Sequence, residues 1–356
     1  MKKQLTIIAV ALVLVGGGWL LSGHLQRNVQ RAVAMSESAP ALIATETSIA
    51  QNASTEARTM PRPVPLGSAK PVAAPASVAV DFNASLEPAH VAEIHKALEE
   101  LKTIYGSAGS LDWEAARRLI AQRQKASEEL VERLAQLGPG GARAMAASYT
   151  EADSTRARLL LVRSLGKVRD DQAPGALEAL LERDKSFSLR KEMVLALRQR
   201  PEASAEQVLT DMLANEGDAQ LRFASAQALS GREKALPALA QRLRSETHSD
   251  VQRELVRSVG LVRNDQAKGL LAGIAHATDD SALRQTAIQE LGRTFGARAL
   301  DDLNRLLSDP DEAIRKCTVT AVARVKNAAA TALLQHTAST DASPIVRNSA
   351  IRALTQ

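Results

Sequence analysis

Residues 166–173 read GKVRDDQA, and the chain returns to nearly the same string, GLVRNDQA, at residues 260–267. The two starts lie 94 residues apart, close to three periods of about 31 residues. At that period the chain yields seven segments in register. They are ARLLLVRSLG from Ala157, LRKEMVLALR from Leu189, LRFASAQALS from Leu221 and VQRELVRSVG from Val251, then LRQTAIQELG from Leu283, IRKCTVTAVA from Ile314 and VRNSAIRALT from Val346. Successive starts differ by 32, 32, 30, 32, 31 and 32 residues.

The columns of this register carry a physical pattern. The opening position is apolar in every segment. Five residues on stand Val162, Val194, Ala226, Val256, Ile288, Val319 and Ile351; eight on stand Leu165, Leu197, Leu229, Val259, Leu291, Val322 and Leu354. Offsets of zero, five and eight share one face of an α-helix. Shorter apolar segments such as APGALEALLERD and ARALDDLNRLLSD lie between them. Each unit therefore reads as a helical hairpin that cannot bury its own face and must stack on its neighbours. Composition agrees: straight-chain helix formers dominate, and only 2% of residues are aromatic. The expected fold is all-α, an α-solenoid of stacked helical hairpins.

A second pattern opens the same helices. An aspartate in the turn precedes an apolar-Arg pair, as in Leu189-Arg190, Leu221-Arg222, Leu283-Arg284, Ile314-Arg315 and Val346-Arg347. On these residues the chain resembles the HEAT-repeat family, particularly the short bacterial HEAT-like repeats of PBS-lyase-type proteins. The resemblance covers about Ala157 to the C-terminus, with degenerate units reaching back to about Ser107. It implies an ARM-type superhelix whose second helices line the concave side. Tetratricopeptide repeats are the rival, but their aromatic and proline signature is missing.

Upstream, residues 1–4 read as a cytosolic tail and residues 5–25 as a single transmembrane signal anchor. Leu5 to Leu21 is an uncharged, mostly apolar run behind Lys2 and Lys3. Leu21-Ser22-Gly23 is followed by His24, where a lipoprotein box requires cysteine. Ala32-Val33-Ala34 suits signal peptidase, but two arginines separate it from the apolar core. An uncleaved anchor is the favoured reading. Residues 32–86, rich in Ala, Pro, Ser and Thr, read as a disordered linker reaching ~40 Å. Residues 87–156 read as an N-terminal helical capping region, and 157–356 as the HEAT-like repeats. The corresponding location is a bacterial inner membrane, with the N-terminus cytosolic and the solenoid periplasmic.

The arginine column holds Arg158, Arg190, Arg222, Gln252, Arg284, Arg315 and Arg347. The preceding turns supply Asp153, Asp184, Asp218, Asp250, Asp279, Asp309 and Asp341. Aspartate ahead of a helix accepts free backbone N–H groups and complements the helix dipole. Arginine can then bridge to such an aspartate, on its own or the adjacent repeat; Arg284 would pair with Asp279 or Asp280. Repetition at constant period makes this a structural ladder rather than a catalytic constellation.

Chemistry is otherwise sparse. The histidines form no His-Glu-x-x-His motif, and His90 and His95 point to different sides of a helix. Deoxyhypusine hydroxylases use HEAT-like repeats, but their iron sites need His-Glu dipeptides, and this sequence has none. Bilin lyases share the repeat, yet aromatics to hold a tetrapyrrole are scarce. Cys317 is the single cysteine, and Gly138-Pro139-Gly140-Gly141 lacks the Lys-Ser/Thr of a phosphate loop. No catalytic, cofactor or metal residues are assigned, no small-molecule substrate is evident, and the chain is expected not to be an enzyme. A formal charge of +5 is too mild and too dispersed for nucleic acid. The alternatives are an enzyme or chromophore-lyase relative with an unrecognised cofactor site, and a nucleic-acid-binding solenoid.

What remains is a surface. Two positions after each start stand Leu159, Lys191, Phe223, Arg253, Gln285, Lys316 and Asn348. Six positions after stand Arg163, Leu195, Gln227, Arg257, Gln289, Thr320 and Arg352. Neither column contains an acid. From them Arg163, Lys191, Phe223, Gln227, Arg253, Arg257, Gln285, Gln289, Lys316 and Arg352 define an expected basic and amide-rich groove. The expected occupant is a protein partner, acidic or extended, captured by a membrane-tethered scaffold.

Overall fold

The computed structural model describes residues 86–106 and 112–355. Among them are sixteen α-helices and no strand. They are α1 Pro88–Ile104, α2 Trp113–Ala135, α3 Gly141–Glu151, α4 Thr155–Lys167, α5 Ala173–Arg183, α6 Phe187–Arg198, α7 Ala203–Asn215 and α8 Ala219–Ala228. There follow α9 Leu236–Ser245, α10 Ser249–Gly260, α11 Asp265–Ala277, α12 Ser281–Glu290, α13 Leu300–Leu306, α14 Glu312–Ala323, α15 Ala328–Thr340 and α16 Pro344–Leu354. The 1–4 tail, the 5–25 anchor and the linker up to residue 85 lie outside the described residues. Leu86, assigned to the linker's end, packs on the helical core.

Local chemistry sets the helix ends. Side chains of Ser154, Asp218, Asn264, Asp280, Asp311, Asn327 and Ser343 accept backbone N–H groups at the starts of α4, α8, α11, α12, α14, α15 and α16. Proline occupies the first turn of α1, α5, α9 and α16, where no intrahelical donor is lost.

Consecutive helices pair into hairpins, and the hairpins stack into two rows, odd-numbered helices in one and even-numbered in the other. The even row packs more closely along its length, so it forms the shorter, inner side of the stack. Close approach there needs small residues: a Cβ on Gly292 would sit 2.8 Å from the Ala321 Cα, and one on Gly166 would sit 3.0 Å from the Ala196 Cα.

The apolar columns behave as their spacing predicts. All seven opening residues are buried, and so are the first six of each of the other two columns. The exceptions are Ile351, 48% exposed, and Leu354, 37% exposed, on α16, which has no further helix beside it among the described residues. Burying such side chains stabilises by about 1.5–3 kcal/mol each, so stacking supplies the core energy of every interior unit.

Two expectations need correction. The boundary at 157 cuts through a hairpin, because α3 pairs with α4, and α1 and α2 already follow the two rows. Trp113, placed on the apolar stripe, is 65% exposed. At 23 residues α2 is far longer than its counterparts, and all of its buried residues lie in its second half.

Candidate functional site

The arginine ladder exists, and three of its acids, Asp184, Asp309 and Asp341, are turn aspartates on the adjacent repeat; Glu216 and Glu246 take the place of Asp218 and Asp250, and Arg284 pairs with neither Asp279 nor Asp280. Five of the six arginines reach an acid at or just past the end of the first helix of the next hairpin. Arg158 meets Asp184 at 3.7 Å, Arg190 meets Glu216 at 2.5 Å, and Arg222 grips Glu246 with two bonds of 2.8 and 2.9 Å. Arg284 meets Asp309, and Arg315 grips Asp341 at 2.9 and 3.2 Å. Arg347 donates to the carbonyls of Asp341 and Ala342.

The geometry explains the discrepancy. Two residues apart in the turn, two side chains do two jobs. The first, at or just past the end of the odd helix, accepts the N–H two residues on and takes the incoming arginine; the second caps the even helix. Glu216 with Asp218 and Asp309 with Asp311 divide the work this way. Asp280 likewise caps α12, so neither it nor Asp279 is the partner of Arg284. Asp250 is an exposed first-turn residue that pairs with Arg253.

Glu246 shows what a closed rung does. Burial pushes its carboxyl up, but bonds from Arg222, the His248 amide and Arg242 outweigh burial and hold it at about 2. At the first rung Tyr149 adds a 2.6 Å bond to Asp184; burial first, then that bond, pushes its phenol well above the usual range.

A second set of ties was missed in the sequence. At the opposite ends of the hairpins, Arg200 is buried and donates to the carbonyls of Leu165, Val168 and Asp170 at 2.8–2.9 Å. Arg232 repeats this on the carbonyls of Arg198 and Arg200, and Arg298 reaches Arg263 and Asp265. The spacing of 32 between Arg200 and Arg232 is the available signal.

The fourteen groove positions lie on the even row, and none of them is buried. Phe223 and Leu159 are half-buried against the core edge, while Lys191, Lys316, Gln289 and Arg352 are exposed. Acids from neighbouring columns reach this face: Glu192 pairs with Arg163 at 2.5 Å, Asp250 with Arg253, and Glu254 with Arg257 at 3.6 Å. Lys191, Lys316 and Arg352 keep no ion pair among the described residues. Gln285 bonds Ser281 at 3.3 Å. Burial raises the Cys317 thiol, which sits on the Gln285 carbonyl at 3.7 Å.

A separate concavity of about 660 Å³ lies between the end of α1 and the turn before α4, lined by Leu98, Lys102, Tyr105, Ala152, Asp153 and Arg156. Ala152 holds the column position that the rung acid fills elsewhere, and the Arg156 guanidinium lies 4.6 Å from the Tyr105 ring centre. Among the described residues no three His, Cys, Asp or Glu side chains converge as a metal site.

Residues 142–230, 236–303 and 269–355 match the sequence profile of HEAT repeats, together more than half of the chain. The chain belongs to the HEAT-repeat family. Similar solved structures include YibA of E. coli, 17% identical, covering 76% of this chain and 98% of that one with a TM-score of 0.41. Human deoxyhypusine hydroxylase in complex with glycerol is 17% identical over 75% of this chain and 96% of that one, TM-score 0.32. The CpcE–CpcF complex of phycocyanin lyase from Nostoc sp. is 19% identical over 70% of this chain and 96% of that one, TM-score 0.31. These likenesses concern fold. No curated protein matches the sequence. No helix among the described residues is long and apolar enough to cross a membrane.

Proposed function

We propose that this HEAT-repeat protein is a non-catalytic scaffold that captures an extended protein segment along its even-helix face. The observation that carries the reading is the contrast between columns. Interior positions at offsets zero, five and eight are buried throughout, whereas all fourteen at offsets two and six stay accessible on the inner side of the stack. Lys191, Lys316 and Arg352 give that face cations free to meet an acidic partner, and Gln227, Gln285 and Gln289 offer amides to a partner backbone. The apolar run at residues 5–25 supports membrane tethering, which would raise the local concentration of envelope partners.

The test is photo-crosslinking from the full chain. A photoreactive residue at Phe223 or Gln289 should capture a discrete partner, and one at Gln207 on the odd row should not. Capture only from Gln207, or none from the inner face, would sink the proposal. Charge reversal at Lys191, Lys316 and Arg352 should reduce crosslinking from Gln289 without changing the helical content.

A further inference from the structure

We propose that the junction between hairpin α9/α10 and hairpin α11/α12 is the hinge of the solenoid. Every other junction from α3/α4 onward carries an arginine–acid rung. Here both members are missing together: Gln252 stands where the others have arginine, and Thr278 ends α11 where the others have Asp or Glu. Gln252 keeps only the tie to its own turn, donating to the Glu246 carbonyl at 2.8 Å. Thr278 keeps only the local bond from the Asp280 amide, at 3.4 Å.

The opposite end of the same junction is loosened as well. In place of a buried arginine on backbone carbonyls, the exposed Asn264 amide meets Glu233 at 3.0 Å. The connecting loop holds Arg263 at φ 60°, the one non-glycine residue in the left-handed region among those described.

The packing is asymmetric at this point. The even helices α10 and α12 remain in full contact, whereas the odd helices α9 and α11 barely touch. Odd-row contact is also thin between α13 and α15, but there the Arg315–Asp341 rung ties α14 to the end of α15 and so holds the two hairpins together. Two buried carboxylates, Glu254 on α10 and Glu290 on α12, face one another across the retained contact. Each is steadied by an arginine of its own segment, Arg257 and Arg293. Rotation therefore pivots on the α10/α12 contact and opens the odd row. That movement tightens the inner face between Phe223 and Gln285, so one chain can adjust its curvature.

Distance measurement between paired spin labels on the full chain tests this, in a Cys317→Ala background. Labels at Arg244→Cys and His276→Cys span the hinge; labels at Glu182→Cys and Ala214→Cys span the matched positions of the Arg190–Glu216 junction. The first pair should give the broader distance distribution. Restoring the rung with Gln252→Arg and Thr278→Asp should narrow it to the width of the second pair. Amide exchange in α11 should slow by roughly tenfold. Stripping the other junction with Arg190→Gln and Glu216→Thr should broaden the second pair. Equal widths in the unmodified junctions, or no broadening on stripping, overturns the proposal even if the restored variant fails to fold.

Discussion

The junctions on either side of hairpin α9/α10 share one helical frame and differ in their polar chemistry. On one side Arg222 and Glu246 are both buried and doubly bonded; on the other, Gln252 and Thr278 occupy the same columns and never meet. The apolar columns through both are equally buried. Hydrophobic stacking thus sets where the hairpins lie, while the ladder sets how firmly successive hairpins are held.

The largest expected effect breaks the closed side of this comparison. Glu246→Gln leaves the Arg222 guanidinium buried without its counter-charge, and such losses run to about 3 kcal/mol. Thr278→Ala removes one weak turn bond and should cost less than about 0.5 kcal/mol. Hydrogen exchange resolved by helix is the right measurement, because a stacked array can open locally. Comparable losses at the two positions would show that the ladder has no energetic weight.

Acid should act on the two junctions in opposite directions. Glu246 titrates near 4.5 when unfolded and at about 2 in the fold, so its rung contributes about 3 kcal/mol above pH 4.5 and loses it as the pH falls toward 2. Glu254 is displaced the other way, by burial first and then by Glu290, against the pull of Arg257 and Arg198. A carboxyl raised by the fold is destabilising while ionised, and protonation relieves the cost. Between pH 7 and pH 4, protection in α8 should therefore fall relative to protection in α10 and α12. An unchanged ratio would contradict these assignments.

The sequence made the stack legible because burial follows helical spacing, and the period of about 31 residues repeats the same three columns. Its ends were less legible: Trp113 looked like a core residue because a helical stripe does not say how far a helix outruns its neighbours. The partners of Arg190, Arg222 and Arg284 were missed for a different reason. Asp218 and Asp280 lie nearer in sequence to their arginines than the true partners do. Which acid an arginine meets depends on the next hairpin, 24–26 residues downstream. The groove columns could be named from spacing alone, but their charge could not. Glu192, Asp250 and Glu254 come from other columns and neutralise Arg163, Arg253 and Arg257.

Restoring the open side should give a smaller effect than breaking the closed one. Gln252→Arg alone places a cation opposite Thr278, and Thr278→Asp alone places an acid opposite Gln252, so neither single change should stabilise. Together they should show a favourable coupling of about 0.5–1 kcal/mol, typical of a partly exposed pair. Additive singles would mean that the start of α10 lies too far from the end of α11 for the pair to form.

The smallest effects on stability belong to the inner face, and there the contrast between a paired and an unpaired cation decides the outcome. Lys316 is exposed and pairs with nothing among the described residues, so Lys316→Glu should shift stability by less than about 0.5 kcal/mol. Arg163 is also exposed, but Arg163→Glu sets a second acid against Glu192 on α6, the next helix of the even row, and should cost somewhat more, through like-charge repulsion. Partner capture should rank the other way. A cation already engaged by Glu192 must release it before meeting a partner's acid, whereas Lys316 has no such bond to break. If Arg163→Glu weakens crosslinking from Gln289 more than Lys316→Glu does, the occupant seats on the paired half of the groove, and the free cations are not its contacts.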